Sequence, residues 1–168
     1  MKKLPIILLL IPLFLIQCTP HKVEVDIKKE LSEIRTVLEK YELANENEDF
    51  GICEEIWSPR EDIIFIGTDR DEKLIGWKNI EQAIKNQYVN FENTLITISD
   101  QEVRLNETGN TAWFSECLNF NFIYKDQAMS YEGIRFTGVL EKTEGKWKIV
   151  QGHLSLPADV DIQEEMVR

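Results

Sequence analysis

The stretch from residue 133 to residue 157, GIRFTGVLEKTEGKWKIVQGHLSLP, decides the fold. Apolar and polar residues alternate on both sides of Glu144-Gly145-Lys146. That is the pattern of two antiparallel strands joined by a tight turn. The first arm reaches back to Met129 and runs to Lys142; the second runs from Trp147 to Leu156, and Pro157 ends it. The same period of two holds upstream. Leu95 to Leu105 reads as a strand with an irregularity at Ser99-Asp100, and Asn106 to Asn110 is a hairpin loop. Thr111 to Tyr124 is a long strand, turned back by Lys125-Asp126-Gln127. Four strands in a meander are predicted.

Before residue 93 the period is helical. Ile27, Leu31, Ile34, Leu38 and Tyr41 keep one face apolar over residues 27–45, with Glu30, Glu33, Arg35, Glu39 and Lys40 on the solvated side. Asn45 and Asn47 fit a break, and Asp49 starts a short helix carrying Phe50, Cys53, Ile56 and Trp57 up to Pro59. Ile63 to Ile66 is β-prone, residues 67–73 (GTDRDEK) form a turn, and Leu74-Ile75 returns. Gly76 then leads into a third helix holding Trp77, Ile80, Ile84 and Tyr88. Helices segregated from an antiparallel meander mean an α+β fold.

The chain opens MKKLPIILLLIPLFLIQC. Lys2 and Lys3 precede an apolar run from Leu4 to Ile16 that is too short to cross about 30 Å of hydrocarbon. It fits the core of an export signal. Leu15-Ile16-Gln17-Cys18 resembles the lipobox of bacterial lipoproteins, with Gln17 where that pattern has a small residue. The resemblance implies a lipidated Cys18 as the mature N-terminus. The expected organisation is a signal peptide over 1–17, lipidated cysteine and tether over 18–26, one domain over 27–157 and an acidic tail over 158–168. The expected address is the cell envelope, membrane-anchored and with the outer membrane as one destination; the alternative is a secreted or periplasmic protein.

At 168 residues, one domain is the natural count. Thirty acidic residues against 19 basic give a formal charge of −11, which excludes a phosphate-binding basic footprint and hence nucleic acid as a partner. With 43% hydrophobic residues the chain can form a core. No phosphate loop, dinucleotide fingerprint or nucleophile elbow appears, and the histidine and cysteine spacing makes no zinc site, so neither metal nor cofactor is expected.

Three motifs lie in order on these elements: Ile66-Gly67-Thr68-Asp69 with Glu72 and Gly76, Thr111-Ala112-Trp113, and the C-terminal hairpin with Arg135, Thr137, Gly145, Trp147 and His153-x-Ser155. Together they resemble the SnoaL-like branch of the nuclear-transport-factor-2-like (cystatin-like) superfamily. That resemblance implies a curved sheet wrapped as a cone around three helices, a pocket between them, and often a homodimer formed through the sheets. It implies no single activity.

His153 shares strand parity with Trp147, Ile149, Gln151 and Ser155, the face that the resemblance turns toward the pocket. It is a candidate catalytic acid/base for an isomerase, cyclase or dehydratase, or else a residue that orders the pocket wall. Asp69 and Glu72 either pair as acid and base or stabilise their turn. Arg135 either clamps a substrate carboxylate or pairs with Glu116 or Glu132. Trp57, Phe65, Trp77, Trp113, Phe120 and Phe122 divide between core and pocket wall. The expected pocket set is Trp57, Phe65, Trp77, Trp113, Arg135, His153 and Ser155. Phe114, Leu118, Phe120 and Phe122 are an expected exposed patch for dimerisation. Cys53 and Cys117 either bridge or remain thiols. The favoured role is binding of a small apolar or amphipathic molecule or a protein partner, with the membrane engaged only through the lipid.

Overall fold

The structure, a computed structural model, describes residues 25–158. The expected leader 1–17, Cys18, His21 and most of the tail therefore lie outside the described residues. Helix α1 spans Ile27–Glu46, α2 Phe50–Ile56 and α3 Trp77–Asn90. Strands β1 Ile64–Ile66 and β2 Lys73–Ile75 precede α3; β3 Phe91–Leu105, β4 Thr111–Tyr124, β5 Gln127–Thr143 and β6 Lys146–Ser155 follow it. The α+β order expected from periodicity is the order observed.

Local chemistry explains the helix starts. Asp26 caps α1 by accepting from Lys29 N at 3.1 Å, and Asp49 caps α2 by accepting from Ile52 N. Gly76 enters α3 at φ +83°, where a Cβ would stand 3.0 Å from the Glu61 carbonyl oxygen. Asn45 does not break α1. It is the last buried position of the stripe Ile34, Leu38, Tyr41, and the helix ends one residue later.

All six strands form one mixed sheet in the order β2-β1-β6-β5-β4-β3, antiparallel except where β1 runs parallel to β6. The sheet is curved. Each long ladder carries a register shift: in β3 between Ser99 and Glu102, in β4–β5 between Leu118 and Phe120, and in β5–β6 between Val139 and Leu140. Such bulges bend and twist the strands that carry them. The concave face buries Ile96, Val103, Phe114, Leu118, Phe120, Phe122, Ile134, Phe136 and Leu140 against Ile34, Leu38 and Tyr41 of α1. The patch expected to be exposed is thus interior. The alternation of β4 puts Phe114, Leu118, Phe120 and Phe122 all on its buried side, where burial of aromatic area stabilises most.

The β6 bulge corrects the expected pocket face. Leu140 pairs with Ile149, but Val139 pairs with Gln151, so Val150 is the extra residue. Buried residues run 147, 149 and then 150, 152 along β6. A single inserted residue exchanges the two faces of everything beyond it. Gly152 and Leu154 face inward opposite Gly138 and Phe136, while Gln151, His153 and Ser155 face outward opposite Val139, Thr137 and Arg135.

Candidate functional site

Between the helices and the concave sheet lies a cavity of about 300 Å³. Its inner wall comes from Tyr41 and Asn45 of α1, Cys53 and Trp57 at α2, and Ile80, Ile84 and Gln87 of α3. The sheet supplies Phe65, Phe91, Phe120, Phe122, Tyr131, Ile134 and Leu154. The turn from Gly67 to Glu72 forms the rim, and the exposed Thr68 and Asp69 place it at the solvent boundary.

The aromatic wall has order. Phe91 stacks on Phe122 at 3.9 Å between ring centroids, and Phe122 stacks on Tyr131 at 5.9 Å, so one ladder of rings crosses β3, β4 and β5. Trp57 meets Phe65 edge to face at 5.8 Å. Gly152 leaves room for that pair, because a Cβ there would come within 3.1 Å of both rings. Gly138 does the same for Phe114, whose ring would lie 2.5 Å from an added Cβ.

Polar groups on the wall are partly spent on each other. Asn45 donates to the Tyr41 carbonyl at 2.7 Å and accepts from Gln87 Nε2 at 2.9 Å. Cys53 Sγ and the Tyr88 hydroxyl lie 3.1 Å apart. Trp57 is 2% exposed, and its Nε1–H has no partner among the described residues. Burial pushes the Tyr41 phenol well above its ordinary range, and Cys53, Glu116 and Glu72, where ionised, add to the effect. Burial likewise raises the Cys53 thiol, against a lowering by its bond to Tyr88. These are groups held neutral. On the rim, Gly67 and Glu72 are tied by a 2.9 Å backbone bond, and the Glu72 carboxylate lies over Gly67 so closely that a Cβ there would sit 1.7 Å from Oε2.

Of the expected pocket residues, Trp57 and Phe65 line the cavity, as do Asp69 and Glu72 of the turn. Trp77, Trp113, Arg135, His153 and Ser155 do not. Trp77 stacks on Phe50 at 6.1 Å between α2 and α3, packed against the core away from the cavity lining. Trp113 is half-exposed on the convex face, opposite Val139. Arg135 pairs with Cys117 on that same face, whereas Glu116 pairs with Phe136 inside, so the expected Arg135–Glu116 pair is excluded by strand parity. His153 and Ser155 are outward for the reason of the Val150 bulge. Cys53 and Cys117 are free thiols, one buried within and one on the convex face.

Sequence reasoning missed Asn45, Gln87, Phe91 and Tyr131 as wall residues. Asn45 and Gln87 each had a signal: both fall on the apolar stripe of their helix, where a polar residue marks either a paired network or a cavity. Among the described residues no cluster of three or more His, Cys, Asp or Glu is placed to hold a metal.

The sequence profile of the SnoaL-like domain family matches residues 34–159. A protein of the nuclear transport factor 2 (NTF2-like) superfamily from Salmonella enterica serovar Typhimurium superposes with a TM-score of 0.72 at 18% identity, over 82% of this chain and 97% of that one. A candidate dehydratase of the NTF2-like family from Streptomyces avermitilis gives 0.70 at 16% identity, over 78% and 99%. A protein with a cystatin-like fold from Caulobacter vibrioides gives 0.66 at 17%, over 78% and 92%. No curated protein matches the chain. At these identities the likeness is one of fold.

Proposed function

The chain belongs to the SnoaL-like domain family, with the NTF2-like fold, and from that premise we propose that it is an exported, lipid-anchored module that binds a small apolar or amphipathic molecule in its cone. The observation that carries the binding role is the cavity: about 300 Å³, walled by seven aromatic rings, with a few polar groups and a rim in solvent. Concave, mostly apolar sites of this size with sparse convergent polar groups are the usual form of small-molecule sites.

The enzymatic alternative placed His153 as acid/base. Among the described residues no histidine lines the cavity, and the wall phenol and thiol are raised, which favours holding a ligand over moving a proton. The address is supported by the Lys2-Lys3 start, the 4–16 apolar run and Cys18. A second copy of the chain docks on the convex sheet face, where Trp113 and Leu95 are each about half exposed.

Native mass spectrometry of the protein, purified without denaturation from the cells that make it, tests the binding role. A retained small molecule released by acid supports it. Bare protein, together with no thermal stabilisation by a panel of aromatic and amphipathic compounds, sinks it.

A further inference from the structure

The cavity has a sign. Among the described residues its lining includes no lysine, arginine or histidine, and its two charged groups are the carboxylates of Asp69 and Glu72. Arg70, in the same turn, is exposed and is not part of the lining. The walls below the rim are aromatic rings, whose faces carry negative quadrupole and attract cations, most strongly where water is displaced.

The rim is also built to hold its charge in place. Gly67 is buried, and its missing side chain is what lets the Glu72 carboxylate fold back over the turn. The 2.9 Å bond from Gly67 N to Glu72 O, and that from Glu72 N to Asp69 O at 3.2 Å, fix both acids at one edge of the opening. A carboxylate pair at the mouth of an aromatic box fits one class of ligand.

We infer that the occupant of this cavity is an organic cation: an amine or quaternary ammonium whose apolar body lies among Phe65, Phe91, Phe122 and Tyr131 and whose charge sits against Asp69 and Glu72. This inference rests on the binding role proposed above and specifies its ligand. Anionic amphiphiles such as fatty acids are excluded, because their carboxylate would meet two others with no cation on the wall. Neutral apolar molecules fit the rings but leave the rim unused.

Three probes of one shape separate these cases: 2-naphthylmethylamine, 2-naphthylmethanol and 2-naphthoate, titrated calorimetrically into the full chain in one non-ionic detergent. The amine should bind about tenfold or more tightly than the alcohol, and the naphthoate should not bind. In Asp69→Asn/Glu72→Gln the amine should fall to within about twofold of the alcohol, whose own affinity stays level. The wild-type ratio should shrink between low and high salt, because the rim is within reach of counterions. An alcohol as tight as the amine, a naphthoate tighter than either, or a ratio unmoved in the double variant overturns the cationic ligand and leaves the binding role standing. Failure of all three probes to bind overturns the cationic ligand as well, and the binding role then stands or falls with the retained molecule in native mass spectra.

Discussion

Glu30 and Lys142, 112 positions apart, close the base of the fold: Lys142 Nζ donates to both Glu30 carboxylate oxygens, at 2.7 and 2.6 Å. The Trp147 indole donates to the same carboxylate at 2.8 Å. One acid on the first turn of α1 therefore fastens β5 and β6, and it is buried, at 9% exposure. Burial pushes this carboxyl up, but the bonds from Lys142 and Trp147 outweigh it and hold the group below its ordinary range.

Glu30→Ala should lower stability by about 1–3 kcal/mol, because it leaves the Trp147 N–H and the Lys142 ammonium without their partner. The acid side follows from the lowered value. Its contribution is present above the unfolded value near 4.5 and is lost as pH falls through the folded value. Urea titrations at pH 7 and pH 3 should show the gap between wild type and variant narrowing in acid. An equal gap at both would remove the charge from the account.

Glu42 should act in the opposite sense. Burial first, then Glu116, Glu46 and Glu39, push it up to about 7. A carboxyl raised on folding contributes stability that is full below about 4.5 and lost as pH rises through about 7. Glu42→Gln should therefore be neutral at pH 4.5 and gain on wild type at pH 8. The gain is of order 1 kcal/mol, since the side chain is only half-buried. Denaturation midpoints across that window measure it.

Filling the cavity tests binding without touching charge. Ala83 lines it from α3. Leucine keeps helix propensity there and adds apolar volume. Ala83→Leu should hold or raise the melting temperature while the retained molecule disappears from native mass spectra. Retention at the wild-type level would place the ligand elsewhere.

The wild-type protein should sediment as a dimer, and Trp113→Glu should shift it to monomer at micromolar concentration. The indole is half-exposed on the convex face, and a charge there costs the interface and not the core.

Cys18→Ala should move the protein from the membrane fraction into the soluble exported fraction, with loss of the mass of its acyl chains. Unchanged attachment would reject the lipid anchor.

Periodicity made most of the architecture legible. The period-four stripe of α1, the Asp49 start of α2 and the hairpin at Glu144-Gly145 are each set by local chemistry, and local chemistry is what a sequence displays. The site was legible in its rim, where Gly67, Asp69 and Glu72 fall within one turn of six residues, and in Trp57 and Phe65. It was not legible in β6. The bulge at Val150 lies where β6 passes from Trp57 to β1 on one side while it runs along β5 on the other. Nothing in the apolar pair Ile149-Val150 distinguishes a bulge from an ordinary run, so the face of His153 could not be read by counting in twos.

That bulge makes the cavity's chemistry depend on register as well as composition. Deleting Val150 would remove the extra residue and keep the faces, because Gln151 would then follow Ile149 in plain alternation and still point outward. Ironing the bulge out with every residue kept would do the reverse: Gln151, His153 and Ser155 would turn onto the aromatic wall, and Leu154 would leave it. In this scaffold a relative one residue shorter at this point can carry the same wall, and a relative of equal length can carry another, so sequences should be compared by face before they are compared by residue.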